Sequence, residues 1–210
     1  MSEPVNQDGW WPPAKRYASP NYNARPAGSL VDLIVLHNIS LPAGRFGGPH
    51  IADLFTNRVD FHADPSFADL RGLQVSSHFL VRRDGAVTQF VSCDARAWHA
   101  GASSFQGRDN CNDYSVGIEI EGSDAVAFTA AQYSAVAGLI MALAARYPVA
   151  AIAGHEHIAP GRKTDPGPCF DWSKLQEILA VDSATLVSAN RPRGMCAKLS
   201  NVKWAHADLR

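Results

Sequence analysis

The run Val31-Asp32-Leu33-Ile34-Val35-Leu36, which ends on His37, narrows the fold more than any other feature of the chain. It is short, nearly continuous in β-branched and aliphatic residues, and lacks the alternation of a half-exposed strand. That pattern predicts a strand buried at the centre of a sheet, with its C-terminal end opening on a histidine.

The surrounding sequence supplies the rest of such a sheet. Ser77-His78-Phe79-Leu80-Val81 and Ala86-Val87-Thr88-Gln89-Phe90-Val91 flank Arg83-Asp84-Gly85, where Asp-Gly provides the positive φ of a tight hairpin turn. Residues 114–121 predict another strand, with Val116, Ile118 and Ile120 on one face and Gly117, Glu119 and Glu121 on the other. Thr129 and Gln132 form a capping box for a helix running to Tyr147, where Pro148 stops it. Residues 149–153 predict a short strand leading to Gly154-His155, and shorter helices are expected at 51–55 and from about 171 to 180. Strands and helices therefore interleave, and the fold class is mixed α/β, a central mixed β-sheet with helices packed on it. The first thirty residues, rich in Pro, Asn and Ser, predict an extended arm around a single domain of residues 1–182, followed by a tail at 183–210.

Composition excludes several partners. With 19 basic and 20 acidic residues the net charge is −1, which leaves no electrostatic footprint for nucleic acid or for an anionic membrane. No apolar stretch is long enough to span a bilayer, and the first residues lack the basic and apolar regions of a secretory signal. The expectation is a cytoplasmic monomer. Cys93, Cys111, Cys169 and Cys196 show no Cys-x-x-Cys spacing and are expected as free thiols.

Reactive residues fall at the strand ends. His37 and His155 each end a predicted core strand, and if those strands are neighbours both imidazoles emerge at one edge. Asp165 follows in a loop stiffened by Pro160-Gly161 and Pro166-Gly167. Two imidazoles and a carboxylate suit Zn²⁺ with one position left for water, although hydrogen-bonded strand-end histidines would look the same. His157 competes with His155 as a ligand. Lys163, two residues before Asp165, is either a surface lysine or a cation placed for an oxyanion. Glu119 lies either on a solvated strand face or on the floor of a cleft, where crowding would raise its pKa toward that of a general base. Trp98 is either core or a platform for a sugar ring, and His78 and His99 are further candidates.

Taken together, several segments resemble the AmpD-type N-acetylmuramoyl-L-alanine amidases. They are Val35-Leu36-His37-Asn38-Ile39-Ser40-Leu41-Pro42, Phe46-Gly47-Gly48-Pro49, Arg82-Arg83-Asp84-Gly85, Ala97-Trp98-His99-Ala100-Gly101, Gly117-Ile118-Glu119-Ile120-Glu121-Gly122 and the stretch from Gly154-His155 through Lys163-Thr164-Asp165 to Pro168. The similarity runs from about Ser19 to Trp172. It implies the fold of peptidoglycan-recognition proteins and phage amidases, with zinc on His37, His155 and Asp165. It also implies Glu119 as the catalytic carboxylate and Lys163 as the transition-state cation. The implied reaction is hydrolysis of the amide joining 1,6-anhydro-N-acetylmuramic acid to L-alanine, on muropeptides recovered in the cytoplasm during peptidoglycan recycling. Asn38, Trp98 and Arg108 are the expected substrate contacts. In the family a basic residue that holds the peptide's carboxylates precedes Cys111-Asn112-Asp113. Here that position is Asn110, with Arg108 as its nearest replacement. The competing expectations are a recognition module that binds muropeptides without cleaving them, a lytic amidase acting on intact wall, and an unrelated zinc hydrolase.

Overall fold

The computed structural model describes residues 3–188 and 202–205. In chain order it contains β1 (Lys15–Arg16), β2 (Tyr22–Ala24), β3 (Leu33–Ile39), α1 (His50–Phe55), β4 (Phe79–Val81), β5 (Val87–Gln89), β6 (Ala95–Ala97), β7 (Ser104–Phe105), β8 (Arg108–Asp109), β9 (Ser115–Glu121), α2 (Ala130–Arg146), β10 (Ala151–Gly154), α3 (His155–Ile158), α4 (Trp172–Ser188) and β11 (Lys203–Trp204). Among the described residues one seven-stranded sheet runs β1-β5-β4-β9-β3-β10-β11. All its pairings are parallel except the β4–β5 hairpin, so the sheet is mixed as the sequence predicts.

The predicted central strand is central. β3 lies between β9 and β10, and its residues 33–36 are fully buried. One face of the sheet, with Ile34, Leu36, Val116, Ile118 and Ile120, packs against α2 and the start of α4. Thr129 caps α2 by accepting from the Gln132 amide at 3.1 Å while the Gln132 side chain accepts from the Thr129 amide at 3.0 Å. Burying such an apolar stripe, at about 25 cal/mol per Å², is the main source of stability here. The opposite face carries Leu33, Val35 and His37 on β3 beside Ser115, Gly117 and Glu119 on β9, because side chains alternate along a strand. That face is covered only in part, by α1 and by the loops between β6 and β9, and the gap is where the site opens.

The hairpin turns at Gly85, with φ +85°, as Asp-Gly requires. Its strands are shorter than predicted, and the flanking Ser77 and His78 bond the neighbouring strand through their side chains. Ser77 Oγ donates to the Gly117 carbonyl at 2.9 Å, and the Gly117 amide donates to His78 Nδ1 at 3.0 Å. The N-terminal arm is extended and paired: β1 adds to β5, β2 pairs with β6, and Val5 and Trp11 enter the core.

Regular structure continues past the expected boundary at residue 182. α4 continues to Ser188, and β11 pairs in parallel with the β10 edge, Lys203 opposite Ala151 and Trp204 opposite Ile152. Val202 is buried in the main core. An exposed edge beside an apolar strand favours such pairing, but nothing in a mixed, weakly patterned tail announces it. Cys93, Cys111 and Cys169 are free thiols, and Cys196 lies outside the described residues. No helix among the described residues is long and apolar enough to cross a membrane.

Candidate metal centre

The register of the sheet assembles the site. On one side of β3, His37 pairs with Glu119 of β9; on the other, Leu36 pairs with Gly154 of β10, so His155 emerges level with His37. His155 opens α3, and the chain returns so that the Asp165 carbonyl accepts from the Glu156 amide at 2.9 Å. His37 Nδ1, His155 Nδ1 and Asp165 Oδ2 converge, 3.0 Å between the nitrogens and 3.1 Å from each to the oxygen. A tetrahedral zinc with bonds of about 2.0–2.1 Å holds its donors roughly 3.3 Å apart, so the set is the right size.

The chemistry of the donors agrees. His37 is 1% exposed, and burial depresses its pKa to about 4, with the neighbouring carboxylate opposing. The ring is therefore neutral near pH 7. His155 Nε2 lies 3.0 Å from the Ala100 carbonyl, which can only accept, so Nε2 is the donating nitrogen and Nδ1 is the one that faces Asp165. Lone pairs crowded at this distance repel one another, and a cation among them converts them into ligands. His157, the rival ligand, is occupied elsewhere: its Nδ1 accepts from the Gly154 amide at 2.8 Å and its ring packs on Trp172.

Glu119 is buried, not solvated. It is 8% exposed, and Oε2 has no hydrogen-bond partner among the described residues. Burial first, then the charge of Asp165, raise its pKa well above the usual carboxylate range, with Lys163 pulling the other way. Lys163 lines the same cleft of about 490 Å³ with His37, Glu119 and Asp165. An open side of the metal position, a carboxylate of raised pKa and a lysine thus share one cavity, a geometry suited to hydrolysing an amide.

Two expected substrate contacts reach this cleft and one does not. Asn38 lines it and donates to Asp124 Oδ1 at 2.7 Å and to the Pro166 carbonyl at 3.1 Å. Trp98 lines it too, with Nε1 donating to Asn23 Oδ1 at 2.9 Å. Arg108 is turned away, because both its terminal nitrogens donate to the Asp32 carboxylate at 2.9 Å and its guanidinium lies 4.0 Å over the Tyr114 ring. Asn110 adopts a left-handed backbone, φ 55°, which asparagine tolerates better than most side chains. His78 and His99 are buried behind the ligands. Burial holds His78 at about 3 and His99 well below the usual histidine range, so both rings are neutral. Arg162, which lines the cleft and donates to the Ala100 and Ala102 carbonyls, and Asn112, whose Oδ1 accepts from the His99 and Ala100 amides, are not singled out by sequence reasoning.

A fold with two histidines and an aspartate at the C-terminal edge of its central strands, backed by a buried glutamate, defines a class of amide hydrolase, and comparison with known proteins agrees. The family model described as N-acetylmuramoyl-L-alanine amidase matches residues 27–168. The chain belongs to that family. The 1,6-anhydro-N-acetylmuramyl-L-alanine amidase AmpD of Citrobacter freundii is 52% identical over 178 residues, covering 84% of this chain and 95% of that protein. A crystal structure of a selenomethionine derivative of AmpD superposes with a TM-score of 0.81 at 52% identity, covering 82% of this chain and 98% of that one. A human peptidoglycan-recognition protein, PGRP-IβC, shares the fold at 22% identity and TM-score 0.51, over 76% of this chain and 92% of its own.

Proposed function

We propose that the chain is a zinc-dependent 1,6-anhydro-N-acetylmuramoyl-L-alanine amidase. The observation that carries the reading is the convergence of His37 Nδ1, His155 Nδ1 and Asp165 Oδ2 to within 3.1 Å of one another, beside a buried glutamate. AmpD of Citrobacter freundii, named for the 1,6-anhydro substrate, is matched over nearly its whole length and supports the anhydro-muramoyl specificity. The cleft, at about 490 Å³, is of the size that buries a drug-sized ligand.

Zinc bound by the three ligands supplies Lewis acidity, lowering the pKa of water toward about 7 and polarising the lactyl carbonyl. Glu119, whose buried carboxyl is held above the usual carboxylate range, accepts the proton of the attacking water and passes it to the nitrogen of L-alanine as the amide breaks. Lys163 offers its ammonium to the oxygen on which negative charge develops, a contribution of about 10²–10³ in rate for such a donor. Trp98 and Asn38 are the substrate contacts of this reading. Arg108 is not among them. The enzyme acts as a monomer in the cytoplasm on muropeptides freed during peptidoglycan recycling.

Incubating the zinc-loaded protein with anhydro-muramoyl tripeptide and with intact sacculi, and reading products by mass spectrometry, tests the proposal. It predicts release of tripeptide from the first and little from the second. Equal release from sacculi would favour a lytic amidase, and binding without cleavage of either would favour a recognition module.

A further inference from the structure

The orientation of His37 is set by a chain of hydrogen bonds that ends at a backbone carbonyl. Ser115 Oγ donates to the Cys111 carbonyl at 2.6 Å, which commits its single proton. The same oxygen lies 3.2 Å from His99 Nε2 and can only accept from it, so His99 Nε2 is the donor of this contact. His99 Nδ1 is then an acceptor, 2.9 Å from His37 Nε2. It follows that His37 carries its proton on Nε2 and presents a bare Nδ1 toward His155 and Asp165.

The backbone reinforces this arrangement. A Cβ on Gly117 would lie 2.5 Å from His99 Cγ, so the glycine on the Glu119 face of β9 is the seat of the His99 ring. Asn112 Oδ1 holds the amides of His99 at 3.1 Å and Ala100 at 2.8 Å. The Ala100 carbonyl is the same group that receives His155 Nε2 at 3.0 Å. One short segment thus orients both imidazoles, His37 through a side chain and His155 through a carbonyl.

We propose that His99 is a positioning residue for the metal centre, locked by Ser115 and Gly117 so that its Nδ1 accepts from His37 Nε2 and keeps His37 Nδ1 free for the metal. The proposal rests on the zinc reading above and assigns His99 no contact with the reacting atoms. Partners of this kind behind a metal-binding histidine contribute about 10–100-fold to metal affinity.

The test compares wild type with His99→Leu, His99→Asn and Ser115→Ala. Zinc dissociation constants come from competition with a chromophoric chelator, and geometry comes from the visible spectrum of the cobalt-substituted protein. His99→Leu, which removes the acceptor, is expected to weaken zinc about 10–100-fold and change the cobalt spectrum. His99→Asn, whose Oδ1 restores an acceptor near the Nδ1 position, is expected to recover most of the affinity. Ser115→Ala barely alters core volume, so it folds even if His99→Leu does not; it is expected to weaken zinc in the same direction by less. Wild-type affinity and an unchanged cobalt spectrum in His99→Leu or Ser115→Ala would overturn the proposal. So would a His99→Asn variant no better than His99→Leu. A wild-type protein that binds no zinc would instead sink the underlying metal assignment, so the two failures are distinguishable.

Discussion

Replacing Gly117 with alanine tests the packing behind the metal centre by adding a single methyl group. The new Cβ would meet His99 Cγ at 2.5 Å, Nδ1 at 2.6 Å and Cδ2 at 2.8 Å. Carbon atoms rest at about 3.5–4.0 Å, so the ring must retreat by roughly 1 Å. The His99 Nδ1–His37 Nε2 distance of 2.9 Å cannot survive that shift as a hydrogen bond. Overpacking costs about 1–3 kcal/mol and the lost bond about 0.5–1.5. The reduced freedom of the unfolded chain returns about 0.4–1 kcal/mol. The net, about 0.5–4 kcal/mol, lowers Tm by roughly 1–16 °C for a chain of this size. Thermal unfolding of metal-free protein, followed by circular dichroism, reads this directly. A double-mutant cycle isolates the cause, because in His99→Ala the ring is gone and Gly117→Ala should cost far less. An equal cost in both backgrounds, or an unchanged Tm in the single variant, would refute the reasoning.

Glu119→Gln should abolish turnover, by about 10²–10⁴-fold or more, while leaving zinc stoichiometry intact. The same substitution should stabilise metal-free protein increasingly as pH rises. Burial holds the carboxyl pKa of folded Glu119 well above its unfolded value, so the wild type loses stability as pH climbs through that range and the glutamine variant does not; melts at pH 5 and pH 8 that run parallel would contradict this. Glu121→Ala should free the glycine-rich loop that carries Gly47. The Glu121 carboxylate accepts from the Gly47 amide at 2.7 Å and Arg82 at 2.8 Å, and leaving those donors unpaired costs about 1–3 kcal/mol. Hydrogen exchange at the Gly47 amide should accelerate; unchanged protection would argue that another contact holds the loop.

Most of the sheet was legible because its strands carry strong, local patterns. The apolar run at 31–36, Asp84-Gly85 and the Thr129–Gln132 capping box each determine one element by nearest-neighbour chemistry. The alternation on β9 also placed Gly117 and Glu119 on one face. Whether that face was solvated or buried depended on loops distant in sequence, which periodicity does not report. β2, β6, β7 and β8 are two or three residues long, below the length at which a period can be recognised. β11 forms because the β10 edge is there to receive it, a long-range fact invisible in Lys203-Trp204 itself. At the site, strand-end placement brought forward His37 and His155, and the family motifs selected them from eight histidines. The pairing of Arg108 with Asp32, 76 positions away in the chain, is another contact that local sequence does not report.

A zinc ion held by His37, His155 and Asp165 would reveal itself by anomalous X-ray scattering at the zinc edge. In crystals of the zinc-loaded protein the account predicts a single strong peak within about 2.0–2.2 Å of His37 Nδ1, His155 Nδ1 and Asp165 Oδ2. A peak on His157, or none at this position in protein that binds zinc stoichiometrically, would contradict it.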